Sequence, residues 1–179
     1  MPFERFVFAM GRVVPKKGFD LLLDAFALLA PRQPGIGLVI GGDGPGRSEL
    51  ELRAVGLGIR DRIVFPGHLS RARVAWAMAK ADVFVLPSRV EPFGIVILEA
   101  LRACTPVVVS SHGGAPEVVH DERDGLVADP FDAQGLAAAV ERLLDSGELR
   151  KRLTDAGRRR AEEFDWGRIV DSYRALYET

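Results

Sequence analysis

The stretch DVFVLPSRVEPFGIVILEALRAC, residues 82–104, joins an apolar strand to an apolar helix through a short polar turn. Asp82 to Pro87 has the composition of a buried strand. From Phe93 to Cys104, Leu, Ala, Glu and Arg outnumber β-formers toward the end, and the length suits a buried helix. Two carboxylates, Glu91 and Glu99, lie eight positions apart in this run. Glu91 precedes the helix, and Glu99 falls about one and a half turns inside it. If the helix packs on a sheet, water cannot fully solvate Glu99, and a buried carboxylate needs a partner. A ligand hydroxyl would serve.

A helix starting near Gly94 also directs the free amides of Gly94, Ile95 and Val96 out of its N-terminus with the macrodipole behind them, a setting that suits phosphate. Glu91 and Glu99 would then flank the phosphate and meet neutral, hydroxyl-rich groups such as a sugar and a ribose. The alternative pairs Glu91 with Arg89, and pairs Glu99 with Arg102 or leaves it facing solvent. This stretch alone does not choose between them.

The whole chain has 179 residues, 47% of them hydrophobic, with a formal net charge of −1, which fits one globular domain with a substantial core. No basic excess points to nucleic acid. The Arg and Lys residues between Arg150 and Arg160 are interspersed with acids, as on a solvated helix face. Cys104 is the single cysteine, so no internal disulfide is expected and a reducing cytoplasm fits. No apolar run approaches the ~20 residues of a membrane span, and the N-terminus lacks a signal-peptide pattern.

Strand and helix signals alternate along the chain. Phe6 to Met10 reads as a buried strand, and Phe19 to Ala30 carries Phe19, Leu22, Leu23, Phe26 and Leu29 at helical spacing. The cycle repeats with a strand at Gly37 to Ile40 and a helix at Arg47 to Val55, then with a strand at Arg62 to Phe65 and a helix at Arg71 to Lys80. It continues through residues 82–104 to strands at Pro106 to Ser110 and Gly125 to Ala128. Such alternation predicts an α/β fold: a Rossmann-like, doubly wound parallel sheet of about six strands with helices on both faces. Ligands then belong at the carboxyl ends of the strands.

The loops at those ends carry Gly11, Arg12, Lys17 and Gly18 after the first strand and Gly41 to Gly46 after the second. Gly67 to Ser70 follow the third, and Ser110 to Glu117 follow the fifth. Glycines where backbone must approach a ligand, with fixed cations among them, favour a diphosphate. Gly41 to Ser48 reads G-x-x-x-x-G-R-S, but Arg47 replaces the lysine that a triphosphate-binding loop needs. The same loop fails the G-x-G-x-x-G dinucleotide pattern, because the third glycine would fall at position 47. His68 and His112 read as loop residues lining the crevice, and no metal-ligand spacing links the three histidines and one cysteine.

Six motifs in order resemble one family. They are G-R-x-x-x-x-K-G at Gly11 to Gly18, G-x-G-P at Gly42 to Pro45, F-x-G at Phe65 to Gly67, E-x7-E at Glu91 to Glu99, G-G-x-P-E at Gly113 to Glu117 and D-G-L at Asp124 to Leu126. Together they are similar to the C-terminal, donor-binding domain of family 4 (group 1) retaining glycosyltransferases of GT-B fold. The resemblance implies transfer of a hexosyl group from a nucleoside diphosphate sugar, a UDP- or GDP-sugar, to an acceptor hydroxyl. No cofactor and no metal are implied, and the chain contains no Asp-x-Asp pair.

Carried onto this sequence, the resemblance gives Arg12, Lys17 and Glu91 the catalytic roles: the two cations hold the diphosphate and Glu91 contacts the donor sugar. Gly11, Gly42, Phe93, Gly94, Ile95 and Val96 surround the nucleotide, Glu99 holds the ribose hydroxyls, and Leu69 and Arg71 lie at the base. The family's acceptor-binding N-terminal domain is the expected partner and is absent from these residues. A terminal helix over 163–179, with Ile169, Val170, Tyr173, Leu176 and Tyr177 at helical spacing, is expected to pack toward it. Membrane association is expected only through that missing domain. A non-catalytic nucleotide-sugar module and a GT-B relative such as a sugar-nucleotide epimerase are the other readings.

Overall fold

A computed structural model describes residues 3–165 together with Gly167, Val170, Arg174 and Tyr177. Six strands, β1 (Arg5–Met10), β2 (Ile36–Gly41), β3 (Ile63–Gly67), β4 (Val83–Leu86), β5 (Val107–Ser110) and β6 (Leu126–Ala128), form one sheet in the order β3-β2-β1-β4-β5-β6. Every pairing is parallel. The chain winds outward from β1 to β3, then returns across the sheet to lay β4 on the other side of β1. Loops at the carboxyl ends of β1 and β4 diverge there and open a crevice, as doubly wound sheets do at the point where strand order reverses.

The strands are apolar throughout because helices cover both faces. On one side Val7, Ala9, Leu38, Ile40, Val83, Val85 and Val108 meet α1 (Phe19–Leu29), α2 (Arg47–Gly56) and α6 (Ala133–Asp145). The intervening residues Phe6, Phe8, Val39, Phe84, Leu86, Val107 and Val109 face α3 (Arg71–Lys80), α4 (Ile95–Arg102) and α5 (Ala115–Val118). This period of two assigns each strand residue to one of two cores. The helix α7 (Gly147–Glu162) closes the second core by seating Gly157 against α4, where an added Cβ would lie 2.6 Å from Leu101 Cδ2 and 2.9 Å from the Asp124 carbonyl.

The expected sheet and the helices at Phe19, Arg47 and Arg71 are present. The helix expected over Phe93 to Cys104 is shorter, because Gly94 sits at φ +85° as its N-cap and Cys104 lies at φ 58°, beyond its end. Arg62 belongs to a short 3-10 turn before β3, and its guanidinium binds the carbonyls of Ala30, Gln33 and Ile36. α5, α6 and α7 were not delimited from the sequence. The exposed Lys151, Arg152, Arg158 and Arg159 place the basic cluster on the solvated face of α7. Of the terminal helix expected over 163–179, Glu163 and Phe164 form a turn, while Ile169, Tyr173 and Leu176 lie outside the described residues.

Candidate functional site

Four consecutive features make the fourth loop. Ser88 is fully buried, Glu91 is 6% exposed, Pro92 precedes the turn, and Gly94 takes a left-handed conformation that starts α4. A Cβ on Gly94 would lie 2.6 Å from Ile97 Cδ1, so the turn needs glycine for space as well as for φ. The first α4 amides then have no carbonyl one turn earlier to bond, and Gly94, Ile95 and Val96 line the crevice. Ile97, Leu98, Ala100 and Leu101 pack inward, while Ile95, Glu99 and Arg102 form the exposed stripe. Glu99 is therefore solvent-exposed. The expectation that water is excluded from it is corrected by the phase of the helix, since positions 95, 99 and 102 share one face.

Glu91 pairs with Lys17, across 74 residues of chain, at 2.6 Å from Nζ to Oε2. The Ser88 hydroxyl donates to the same Oε2 at 3.1 Å. Both bonds fall on one carboxylate oxygen, and among the described residues no donor reaches Oε1. Arg89, the alternative partner, turns away to make a two-pronged ion pair with Asp20, at 2.7 and 2.6 Å. That guanidinium holds the Asp20 carboxyl below its ordinary pKa, although burial works in the opposite direction.

The loop after β5 locks Glu91 from behind. Gly113 has φ +77°, and a Cβ there would stand 2.4 Å from the Glu91 carbonyl oxygen. Gly114 donates its amide to that carbonyl at 2.7 Å. Gly113→Ala forces a left-handed alanine into the Glu91 backbone and is expected to cost about 2 kcal/mol or more of stability. Urea denaturation measures this, and a wild-type midpoint would mean that the two loops are not locked together.

Two clefts adjoin at α4. The first, about 470 Å³, is lined by Gly11, Arg12, Lys17, Glu91, Phe93, Gly94, Ile95 and Val96, with Met10 and Glu99 at its boundary. The second, about 790 Å³, shares Met10 and Glu99 and runs between α3 and α4 past His68, Leu69, Ser70, Arg71, Met78 and Arg102. The expected site residues thus converge, with one exception. Gly42 lines neither cleft. With φ +113° and a Cβ position 1.9 Å from the Gly11 carbonyl oxygen, it lets the loop after β2 nest beneath the loop after β1. It supports the site from outside.

The cations divide into two groups. Arg89 is engaged with Asp20, and Arg47 with Glu51 and the Phe65 carbonyl. Arg12, Arg71 and Arg102 make no side-chain hydrogen bond or ion pair within the described residues, so their donors remain for a ligand. Lys17 is intermediate, with one of its protons committed to Glu91. His68 lines the second cleft, whereas His112 lies 3.3 Å from Asp129 and edge-on to Phe131. Among the described residues no three His, Cys, Asp or Glu side chains cluster as a metal site requires. Ser88 and Arg102 join the site beyond the residues expected from sequence; spacing from Glu91 and Glu99 marks both, three positions before one and three after the other.

Residues 3–160 match the family described as glycosyl transferases group 1. The chain is 36% identical over 181 residues to mannosylfructose-phosphate synthase of Agrobacterium fabrum, covering 96% of this chain and 40% of that protein. Its fold superposes on sucrose-phosphate synthase from Thermosynechococcus elongatus with a TM-score of 0.87 at 32% identity, covering 98% of this chain and 45% of the other. The Anabaena protein Alr3699/HepE in complex with UDP-glucose superposes with a TM-score of 0.87 at 27% identity, over 97% and 49% of the two chains. The chain therefore spans somewhat under half the length of these relatives.

Proposed function

The chain belongs to the group 1 glycosyl transferases, and from that premise we propose that its crevice holds the nucleoside diphosphate sugar donor of a hexosyl transfer reaction. The observation that carries this reading is the convergence of two carboxylates of opposite setting on one helix N-terminus. Glu91 is buried and oriented by Lys17 and Ser88, while Glu99 is exposed and, among the described residues, unpaired at the meeting point of the two clefts. In this reading Arg12 and the amides of Gly94, Ile95 and Val96 hold the diphosphate in the first cleft. The unbonded Oε1 of Glu91 receives hydroxyls of the donor sugar. Glu99 takes the ribose diol, and the base enters the second cleft beside Leu69 and Arg71. A donor carrying uracil or guanine is proposed, the Anabaena relative's UDP-glucose complex supporting the first.

In the proposed reaction the bond from the anomeric carbon to the diphosphate oxygen breaks, and its electron pair leaves with the diphosphate. The acceptor hydroxyl oxygen bonds to the same carbon, and its proton passes to a phosphate oxygen on the face that the diphosphate leaves, which retains configuration. The charge developing on the leaving group is met by Arg12, by the remaining donors of Lys17 and by the α4 N-terminus, fixed before the reaction starts. The acceptor is assigned to a partner domain N-terminal to this one, which puts these residues in the C-terminal half of the enzyme. A reducing, cytoplasmic setting suits the lone, exposed Cys104; no helix among the described residues is long and apolar enough to cross a membrane.

Glu99→Gln tests the assignment at its most exposed point. It keeps side-chain size, touches no core residue and removes the charge that makes the ribose hydrogen bonds strong. UDP and GDP should weaken about ten- to hundredfold, from roughly 1.5–3 kcal/mol of lost hydrogen bonding. Their 2′,3′-dideoxy analogues should change far less. Calorimetry on both pairs decides it, and equal weakening of the ribonucleotides and the dideoxy analogues would remove Glu99 from the ribose site.

A further inference from the structure

We infer that Arg102, across the second cleft from Arg71, is the residue that selects the donor's base, admitting bases with a carbonyl oxygen at the position of uracil O4 or guanine O6 and rejecting those with an amino group at that position. The inference rests on the donor-site reading above and adds a specificity to it. Five polar side chains line the second cleft: His68, Ser70, Arg71, Glu99 and Arg102. Glu99 is the one fixed acceptor among them, and in the proposed reading its carboxylate is taken by the ribose. Arg71 and Arg102 have donors and no acceptor, and the Ser70 hydroxyl already accepts the Arg73 amide as the N-cap of α3, which leaves its own proton to give. His68 can present a nitrogen of either kind. The charged groups that remain for the base are thus both donors.

Arg102 is placed for this and is not otherwise occupied. It lies three residues after Glu99, on the same exposed stripe of α4, at a spacing where a carboxylate and a guanidinium commonly pair. No such ion pair forms, and Arg102 makes no other side-chain bond within the described residues. Arg102 therefore lines the cleft with its donors unspent, together with the apolar Leu69, Val74 and Met78. A guanidinium in such a position can stack on a base or bond its carbonyl oxygens in plane. Uracil O4 or guanine O6 fits those donors. The amino group of adenine or cytosine would stand against them with its hydrogens unpaired, and a site built on hydrogen bonds rejects a mismatched group strongly.

The experiment is calorimetric titration of the 179-residue chain with UDP, GDP, ADP and CDP, for the wild type, Arg102→Ala and Glu99→Gln. Arg102 is exposed and outside both cores, so its removal leaves the fold intact, and circular dichroism verifies that. In the wild type UDP or GDP should bind roughly tenfold or more tighter than ADP and CDP. Arg102→Ala should bring the four within about threefold, by weakening UDP and GDP and sparing ADP and CDP. Equal weakening of all four by Arg102→Ala would make Arg102 a general attractor of phosphate and overturn the inference. So would a wild-type preference for ADP or CDP. If Glu99→Gln weakens the ribonucleotides while Arg102→Ala leaves the wild-type preference untouched, the donor site stands and the inference alone fails. Failure of all four nucleotides to bind the wild type would overturn both.

Discussion

Lys17→Met is expected to destabilise the fold by about 3 kcal/mol and to lower the melting temperature by roughly 6–12 °C, a large effect for one loop residue. The side chains of Lys17 and Glu91 are 17% and 7% exposed, so the pair is taken from water nearly whole. Among the described residues, removing the ammonium leaves the buried Glu91 carboxylate the Ser88 hydroxyl alone, and an uncompensated buried charge is what makes breaking such a pair costly. The reverse change costs less, because Lys17 can swing its long stem toward solvent when Glu91 becomes Gln. In the double variant Lys17→Met, Glu91→Gln the amide oxygen still accepts from Ser88 and no charge is stranded. Its stability should return to within about 1 kcal/mol of wild type. Donor binding should not return with it. Thermal unfolding of the three variants gives the cycle, and equal stability of the single and double variants would show that the pair carries no buried-charge penalty. The same geometry makes charge reversal at Lys17 a poor probe of ligand binding, because a glutamate there would face Glu91 directly, whereas Arg12 can be reversed without touching a buried group.

How much of this was readable in advance depends on whether the signal is local. The sheet was legible because each strand is a short apolar run between turn residues, and β1 and β4 each supply side chains to both cores. The Arg71 helix was legible because Ser70 caps it and its length is ordinary. α6 carries an equally plain helical pattern in Leu136, Ala137, Val140, Leu143 and Leu144. α5, at four residues, is too short to show a period. In the site, the convergence of loops follows from the parallel topology, so Arg12, Lys17, Glu91 and Gly94 could be grouped from sequence. Their pairing could not. Whether Glu91 meets Arg89 or Lys17 is decided by Asp20, which captures Arg89 from α1, and no periodicity links those positions. Glu99 was misplaced for a different reason. Its neighbours are almost all apolar, and composition suggested burial where the phase of the buried set, 97, 98, 100 and 101, leaves position 99 outside.

The 179-residue chain by itself is expected to bind UDP or GDP in the presence of EDTA and to transfer no sugar. Binding should need no divalent ion, because the positive charge proposed for the diphosphate comes from Arg12, Lys17 and the α4 amides, all fixed by this one sheet. Affinity should be modest, since the clefts are open and one face of the nucleotide keeps its water. Transfer asks for more. An acceptor oxygen must be held about 3–3.5 Å from the anomeric carbon, and effective molarities from such placement account for several orders of magnitude in rate. Water must also be kept from the same carbon, or hydrolysis replaces transfer. None of the groups lining the two clefts is assigned to an acceptor, and the relatives that this chain matches are about twice its length. The measurement is nucleotide binding with and without EDTA, followed by an acceptor assay of the same sample, alone and mixed with a separately expressed acceptor-binding domain. Loss of binding in EDTA would assign the diphosphate charge to a metal and contradict the role given to Arg12. Efficient transfer by the chain alone would locate the acceptor site within these residues, and the second cleft, larger than a base requires, would then be the first place to look for it.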